Sequence, residues 1–305
     1  METERWGVQS SSHDLHTLGA RRLFRTISVE AVAFRPDWVI GFSDIWFACL
    51  AHRLANRTSA RLAVDAYDNY EAYMPWNLPL HWAWRRAVHA ADLVTAAGPQ
   101  LAARLQTHRR GKAAVELLPM AADPGFVPMD RSACRNSLGL PAAAPLIGYS
   151  GGWARNRGTH VLLDAFQRVR QVHPDALLVL SGNPPVDVCV SPGVIALGYL
   201  DDAQLPTLLN ALDVACVITA DTSFGRYSYP AKLCEAMACG VPVVATSTDP
   251  VRWMLKDDAR FLAKVGDAND IASRILGNLG MKRVDYSNLP TWQDSGQHLE
   301  NLLSG

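Results

Sequence analysis

The chain has 305 residues, 49% of them apolar, and its 29 basic and 29 acidic residues cancel to a formal charge of zero. That length and apolar content suffice for two globular units with cores of their own. The missing basic footprint argues against nucleic-acid binding, and no apolar run reaches the roughly 20 residues that span a bilayer. The opening Met1-Glu2-Thr3-Glu4-Arg5 lacks the apolar core of a secretory signal. Six scattered cysteines without C-x-x-C spacing read as reduced thiols, so a cytoplasmic protein is expected. None of the nine histidines sits at metal spacing with Cys or carboxylates, so no metal site is expected.

In chain order, the apolar stripe Leu23, Phe24, Ile27, Ala31 and Phe34 predicts a helix over 15–34, ended by Pro36. Strands are predicted over 37–42, 61–66, 92–96 and 115–119, separated by helices over 45–54, 80–91 and from Pro99. The Pro- and Gly-broken stretch 122–129 reads as a linker. A second alternation follows, with strands over 145–150, 176–181, 194–197, 214–219, 241–245 and 261–265. Its helices are predicted over 159–172, 203–211, 230–239 and 268–279, and 289–303 forms one more. Alternating strands and helices specify parallel sheets with crossover helices. The expected fold class is therefore α/β, two doubly wound Rossmann-like units facing a cleft. The first unit is 1–124, the second 125–288, and the helix in 289–305 packs back on the first.

The most sharply punctuated stretch is 229–245, Y-P-A-K-L-C-E-A-M-A-C-G-V-P-V-V-A. Pro230 suits the first helical position, Gly240 a left-handed helix end, and 241–245 a strand covered on both faces. Lys232 and Glu235, three residues apart, form either an exposed ion pair or a ligand-facing pair, since ligands collect where strands end against helix starts. This stretch resembles the donor-binding signature of the retaining GT-B glycosyltransferases of family 4 (group 1), P-x-K-L-x-E-x-M-A-x-G-x-P-V-V. The resemblance places that family's ribose-binding Glu on Glu235. It runs in the correct order from Pro36 onward, through Ala91-Asp92-Leu93-Val94, Leu118–Asp123 and the Trp292 helix.

The resemblance implies a nucleotide-diphosphate sugar as substrate, no separate cofactor, and transfer with retained configuration to a sugar, lipid-linked or natural-product acceptor. In Gly151-Gly152-Trp153-Ala154-Arg155-Asn156-Arg157-Gly158 the family has G-R-x-x-x-x-K-G, whose two cations grip the donor diphosphate. Arg157 keeps the second cation, whereas Gly152 stands where the family has Arg; Lys232 or Arg155 is expected to replace that charge. Gly182 and the element Gly198-Tyr199-Leu200 match turns that meet the donor. Tyr227 stands eight residues before Glu235, where the family's E-x7-E motif has its first Glu, and Ser228 and Tyr229 are further donor-contact candidates. On the acceptor side, Tyr67 replaces a family His and Asp68 is kept. Asp68 faces the transferred sugar or, equally, caps the following helix.

Two features stand apart from the pattern. The family's opening strand and Gly-rich loop have no counterpart here, so an incomplete N-terminal unit is expected. The segment 74–90 mixes Trp76, Trp82 and Trp84 with Arg85 and Arg86; it reads as a core-facing helix with snorkelling arginines or as a peripheral membrane contact. The rival functional reading is a catalytically silent nucleotide-sugar-binding subunit that works with a partner. It is motivated by the short opening, Gly152 and Tyr227.

Overall fold

The computed structural model describes residues 15–154 and 157–305, with side chains from Arg22 onward. Two parallel sheets form. The first contains β1 (Trp38–Gly41), β2 (Arg61–Ala66), β3 (Leu93–Ala96) and β4 (Glu116–Leu117), in the spatial order β1-β2-β3-β4. Its helices are α1 (Leu15–Phe34), α2 (Ile45–Thr58), α3 (Leu78–Ala90) and α4 (Pro99–Gln106). Asp44 and Asn77 cap α2 and α3 by accepting backbone N–H bonds from Trp46 and Leu80.

The second sheet holds β5 (Leu146–Ser150), β6 (Leu177–Ser181), β7 (Val194–Gly198), β8 (Val214–Val217), β9 (Val243–Thr246) and β10 (Leu262–Ala263). Its order is β10-β9-β8-β5-β6-β7, so strand order reverses between β5 and β8. Crevices at such reversals are where open α/β sheets bind ligands. The predicted helices appear as α6 (Thr159–Val172), α8 (Leu205–Ala211), α9 (Ala231–Ala238) and α11 (Ala268–Asn278). Three short ones were not anticipated: α5 (Arg131–Ser137), α7 (Val186–Cys189) and α10 (Asp249–Met254). At four to seven residues they are too short to show a 3.6-residue apolar period.

Helix α12 (Trp292–Ser304) opens with a capping box between Thr291 and Asp294 and returns to the first unit. The Trp38 indole N–H donates to the Leu303 carbonyl at 2.9 Å, and Ser295 Oγ to the Pro119 carbonyl at 3.2 Å. The cysteines among the described residues form no disulfide. No described helix is long and apolar enough to cross a membrane.

The α1 stripe is only half used. Leu23 is 2% exposed, but Phe34 is 76% exposed, because α2 is the one neighbour α1 packs against closely. Pro230 is the N-cap of α9 rather than its first helical residue, and Gly240 takes the left-handed conformation at φ 67°.

Candidate functional site

The sequence-predicted cations meet at the strand-order reversal. Beyond β5 the chain turns through Gly151, at φ 128°, where a side chain would lie 3.0 Å from the Lys232 ammonium. Gly182 ends β6 at φ 118°, and a Cβ there would come within 2.6 Å of the Gly151 carbonyl. These glycines are fixed by close backbone approach. Gly182 thus packs directly against the Gly151 turn.

Lys232 does not behave as half of an exposed ion pair. Its Nζ donates to the Ser150 carbonyl at 3.2 Å and to Tyr149 Oη at 3.4 Å, and it lies 4.5 Å from the Tyr149 ring centroid. Burial and, to a lesser degree, the Arg157 charge pull this ammonium down to about 8 against the opposing charge of Glu235. The Arg157 guanidinium lies over Gly152, where an added Cβ would make ordinary contact with its Nε at 3.6 Å. Arg155 lies outside the described residues. Glu235, one turn along α9 from Lys232, is held above the usual carboxylate range by burial; Lys232 opposes this, and Asp123 and Asp202 add to it. Two cations and a reluctant carboxylate beside open backbone make a site in want of an anion and of hydroxyl donors.

The opposite wall comes from the loop after β2. Asp68 is 9% exposed and accepts from Tyr73 Oη at 2.9 Å. It does not cap a helix. Burial pushes its carboxyl up to about 6 against the hydrogen bonds of Tyr73 and Ser228 and the charge of Arg157. Asp68, Ser228 and Arg157 therefore face one another across the cleft. The Tyr67 hydroxyl is engaged at the same end of the sheet, donating to the Ser43 carbonyl in the loop after β1 at 2.8 Å.

Other expectations are corrected. Tyr229 is 3% exposed and its hydroxyl is tied to Gln100; it packs edge-on against Trp253 and belongs to the core of the first unit. It is an anchor between units and does not reach a donor. Tyr227 lies under the Arg104 guanidinium at 5.2 Å, so one face of its ring is taken. Gly198 faces open space and Tyr199 is 87% exposed, while Leu200 packs on the core.

Tyr73 and Arg104, which the sequence reading did not single out, also build the cleft. Asn69 Nδ2 donates to the Ser223 carbonyl at 2.8 Å, and the Tyr73 and Phe224 rings meet at 5.2 Å. Arg104 binds Asn69 and Glu71. Asn69 and Glu71 adjoin Asp68 in sequence, which was the available signal; Arg104, in the last turn of α4, gave none. Among the described residues no group of three or more His, Cys, Asp or Glu side chains could hold a metal ion.

Similarity to known proteins is concentrated in the second unit. Residues 144–280 match the family model "Glycosyl transferases group 1". Gly151, Arg157, Lys232 and Glu235 all fall inside the group 1 match. The chain is 32% identical over 180 residues to phosphatidyl-myo-inositol mannosyltransferase of Mycobacterium tuberculosis, covering 56% of this chain and 45% of that protein. It is 29% identical over 236 residues to D-inositol 3-phosphate glycosyltransferase of Stackebrandtia nassauensis, covering 68% of this chain and 52% of that one. The chain thus spans about half the length of the curated relatives it matches.

The architecture is that of solved glycosyltransferases. Anabaena Alr3699/HepE in complex with UDP-glucose superposes with a TM-score of 0.74 at 17% identity, covering 96% of this chain and 84% of that one. Sucrose-phosphate synthase from Thermosynechococcus elongatus gives 0.75 at 18%, covering 95% and 78%. The expected GT-B fold is therefore present: two parallel-sheet units facing a cleft, the N-terminal one with four strands in sequential order.

Proposed function

We propose that the chain moves a sugar from a nucleoside-diphosphate sugar to an acceptor hydroxyl with retention of configuration, as in glycosyltransferase family 4. One observation carries this reading: Lys232 and Arg157 converge on the Gly151-Gly152 turn at the strand-order reversal, with Glu235 one helical turn away. Glu235 would accept the hydroxyls of the donor ribose. Arg157 and Lys232 would neutralise the diphosphate as the bond from C1 to the phosphate oxygen breaks, so charge stabilisation rests on the protein's own cations. The acceptor oxygen then bonds C1 on the same face, and its proton passes to the departing phosphate oxygen. Asp68 and Ser228 would face the transferred sugar. We take 1–124 as the acceptor side, with 289–305 packed on it, and 125–288 as the donor side.

The named substrates of the relatives, phosphatidyl-myo-inositol and D-inositol 3-phosphate, favour a polyol or lipid-linked acceptor. The segment 74–90 fits a peripheral membrane contact. Trp76, Leu78 and Trp82 are 76%, 68% and 64% exposed, and Arg86 sits over Trp82, whereas Leu80, His81, Trp84, Ala87 and Val88 form the face of α3 that turns into the core. Beside them Phe24, Trp46, Phe47 and Leu80 line a groove of about 290 Å³. A silent partner subunit is not favoured, because both cations and Glu235 stand assembled in the cleft.

The test is calorimetric titration with UDP, GDP, ADP and dTDP. One nucleotide should bind, and Glu235→Ala should weaken it by about 1.5–3 kcal/mol, the worth of a charged hydrogen bond. No binding by the wild-type chain would refute the reading.

A further inference from the structure

The loop between β8 and α9, residues 221–229, is held from the other side of the cleft. Asn69 Nδ2 donates to its Ser223 carbonyl at 2.8 Å. Tyr73 packs on Phe224, Arg104 covers Tyr227, and Gln100 is bonded to Tyr229. Every one of these partners lies in the first unit.

Behind these contacts stands Glu71, whose side chain is 6% exposed. Its Oε1 receives Arg85 Nε at 2.6 Å and its Oε2 receives Arg104 Nη2 at 2.6 Å. With both oxygens matched, the carboxylate fixes the Arg104 fork. The same guanidinium donates from Nε to Asn69 Oδ1 at 3.1 Å. That bond orients the amide so that its N–H₂ points at Ser223. Arg104 therefore reaches the loop twice: directly through Tyr227, and through Asn69.

The loop runs without a break into α9, where Lys232 and Glu235 lie in the first two turns. We propose that Arg104 is a positioning residue that latches the 221–229 loop to the first unit and thereby sets the pose of the α9 side chains that hold the donor. The consequence for the donor rests on the function proposed above; the latch does not. Arg104 touches no group placed in the binding site except through Tyr227 and Asn69.

The test uses the full chain with Arg104→Ala and Arg104→Lys. Hydrogen exchange is followed without ligand, and dissociation of whichever of UDP, GDP, ADP or dTDP binds the wild type is timed. Arg104→Ala should raise exchange of the 221–229 amides about tenfold, leaving β2, β3 and β5 unchanged. It should also speed nucleotide release by about tenfold with little change in association. Arg104→Lys keeps the charge on Glu71 but not the second donor to Asn69, so its loop should be intermediate while the first unit stays protected. Unchanged loop exchange in Arg104→Ala overturns the latch. So does a rise spread through the first unit in both variants, which marks a purely structural arginine. If no nucleotide binds the wild type, the functional reading fails while the exchange data still decide the latch.

Discussion

Central and edge strands are built to different depths. In β8 and β9 every residue is buried, and Leu146 and Phe166 beside them are 0% exposed. In β1 only Gly41 is buried, and Val29, Val32 and Phe34 of neighbouring α1 stand in solvent. The difference follows from strand order. A central parallel strand is covered by helices on both faces, whereas β1 is an outer edge with one well-packed neighbouring helix. The buried strands β8 and β9 flank the loop and helix that carry Lys232 and Glu235, whereas Asp68 follows β2 in the first unit.

Several substitutions would break or sharpen this contrast. The largest effect should come from Phe166→Ala, which empties the deep core and should cost about 3–5 kcal/mol in denaturant unfolding. Val39→Ala in half-buried β1 should cost well under half of that, and comparable losses would erase the distinction. Next, Gly182→Ala forces a side chain into the Gly151 carbonyl at a left-handed φ. About 2–3 kcal/mol of stability and most nucleotide affinity should go together. Gly125→Ala, which meets no atom within 4 Å, is the control.

The third effect depends on pH. Lys232 titrates at about 8 in the free protein. A bound diphosphate favours its charged form, so the pKa is higher in the complex, and binding above pH 8 requires proton uptake. Affinity should be level below pH 8 and then fall by up to about tenfold per pH unit. Lys232→Met should flatten that slope; a slope that persists would assign the proton elsewhere. In the free chain the sign is opposite. The lowered pKa is a penalty present below about 8 and lifted as pH rises toward the unfolded value, so Lys232 adds to stability on the alkaline side.

The smallest effect is expected at Asp68. Its carboxyl is raised to about 6, so at pH 7.5 the folded state carries a charge it would rather not. Asp68→Asn should raise Tm slightly at pH 7.5, with the gain fading as pH falls through 6 toward 4. A lower Tm at pH 7.5 would show that the bonds from Tyr73 and Ser228 outweigh the buried charge.

Much of this was legible in the chain itself. Strand and helix positions follow from apolar period and punctuation: Gly240 sits at its left-handed turn, and the α9 pattern brings Lys232 and Glu235 to the sheet's ligand end. Those are local properties, set by backbone preference and by which faces must leave water. Only the tertiary structure decided where the aromatics point. Tyr229 follows Ser228 at what reads as the mouth of a site, yet it turns into the first unit because Gly98 leaves room for its ring and Gln100 satisfies its hydroxyl. The Glu71–Arg104–Asn69 chain was equally hidden. Its members lie up to 35 residues apart, and an arginine in the last turn of a helix looks the same in sequence whether it meets water or a buried carboxylate. Spacing along the chain fixes what one element presents; the partner across the cleft is fixed by how the sheets come together.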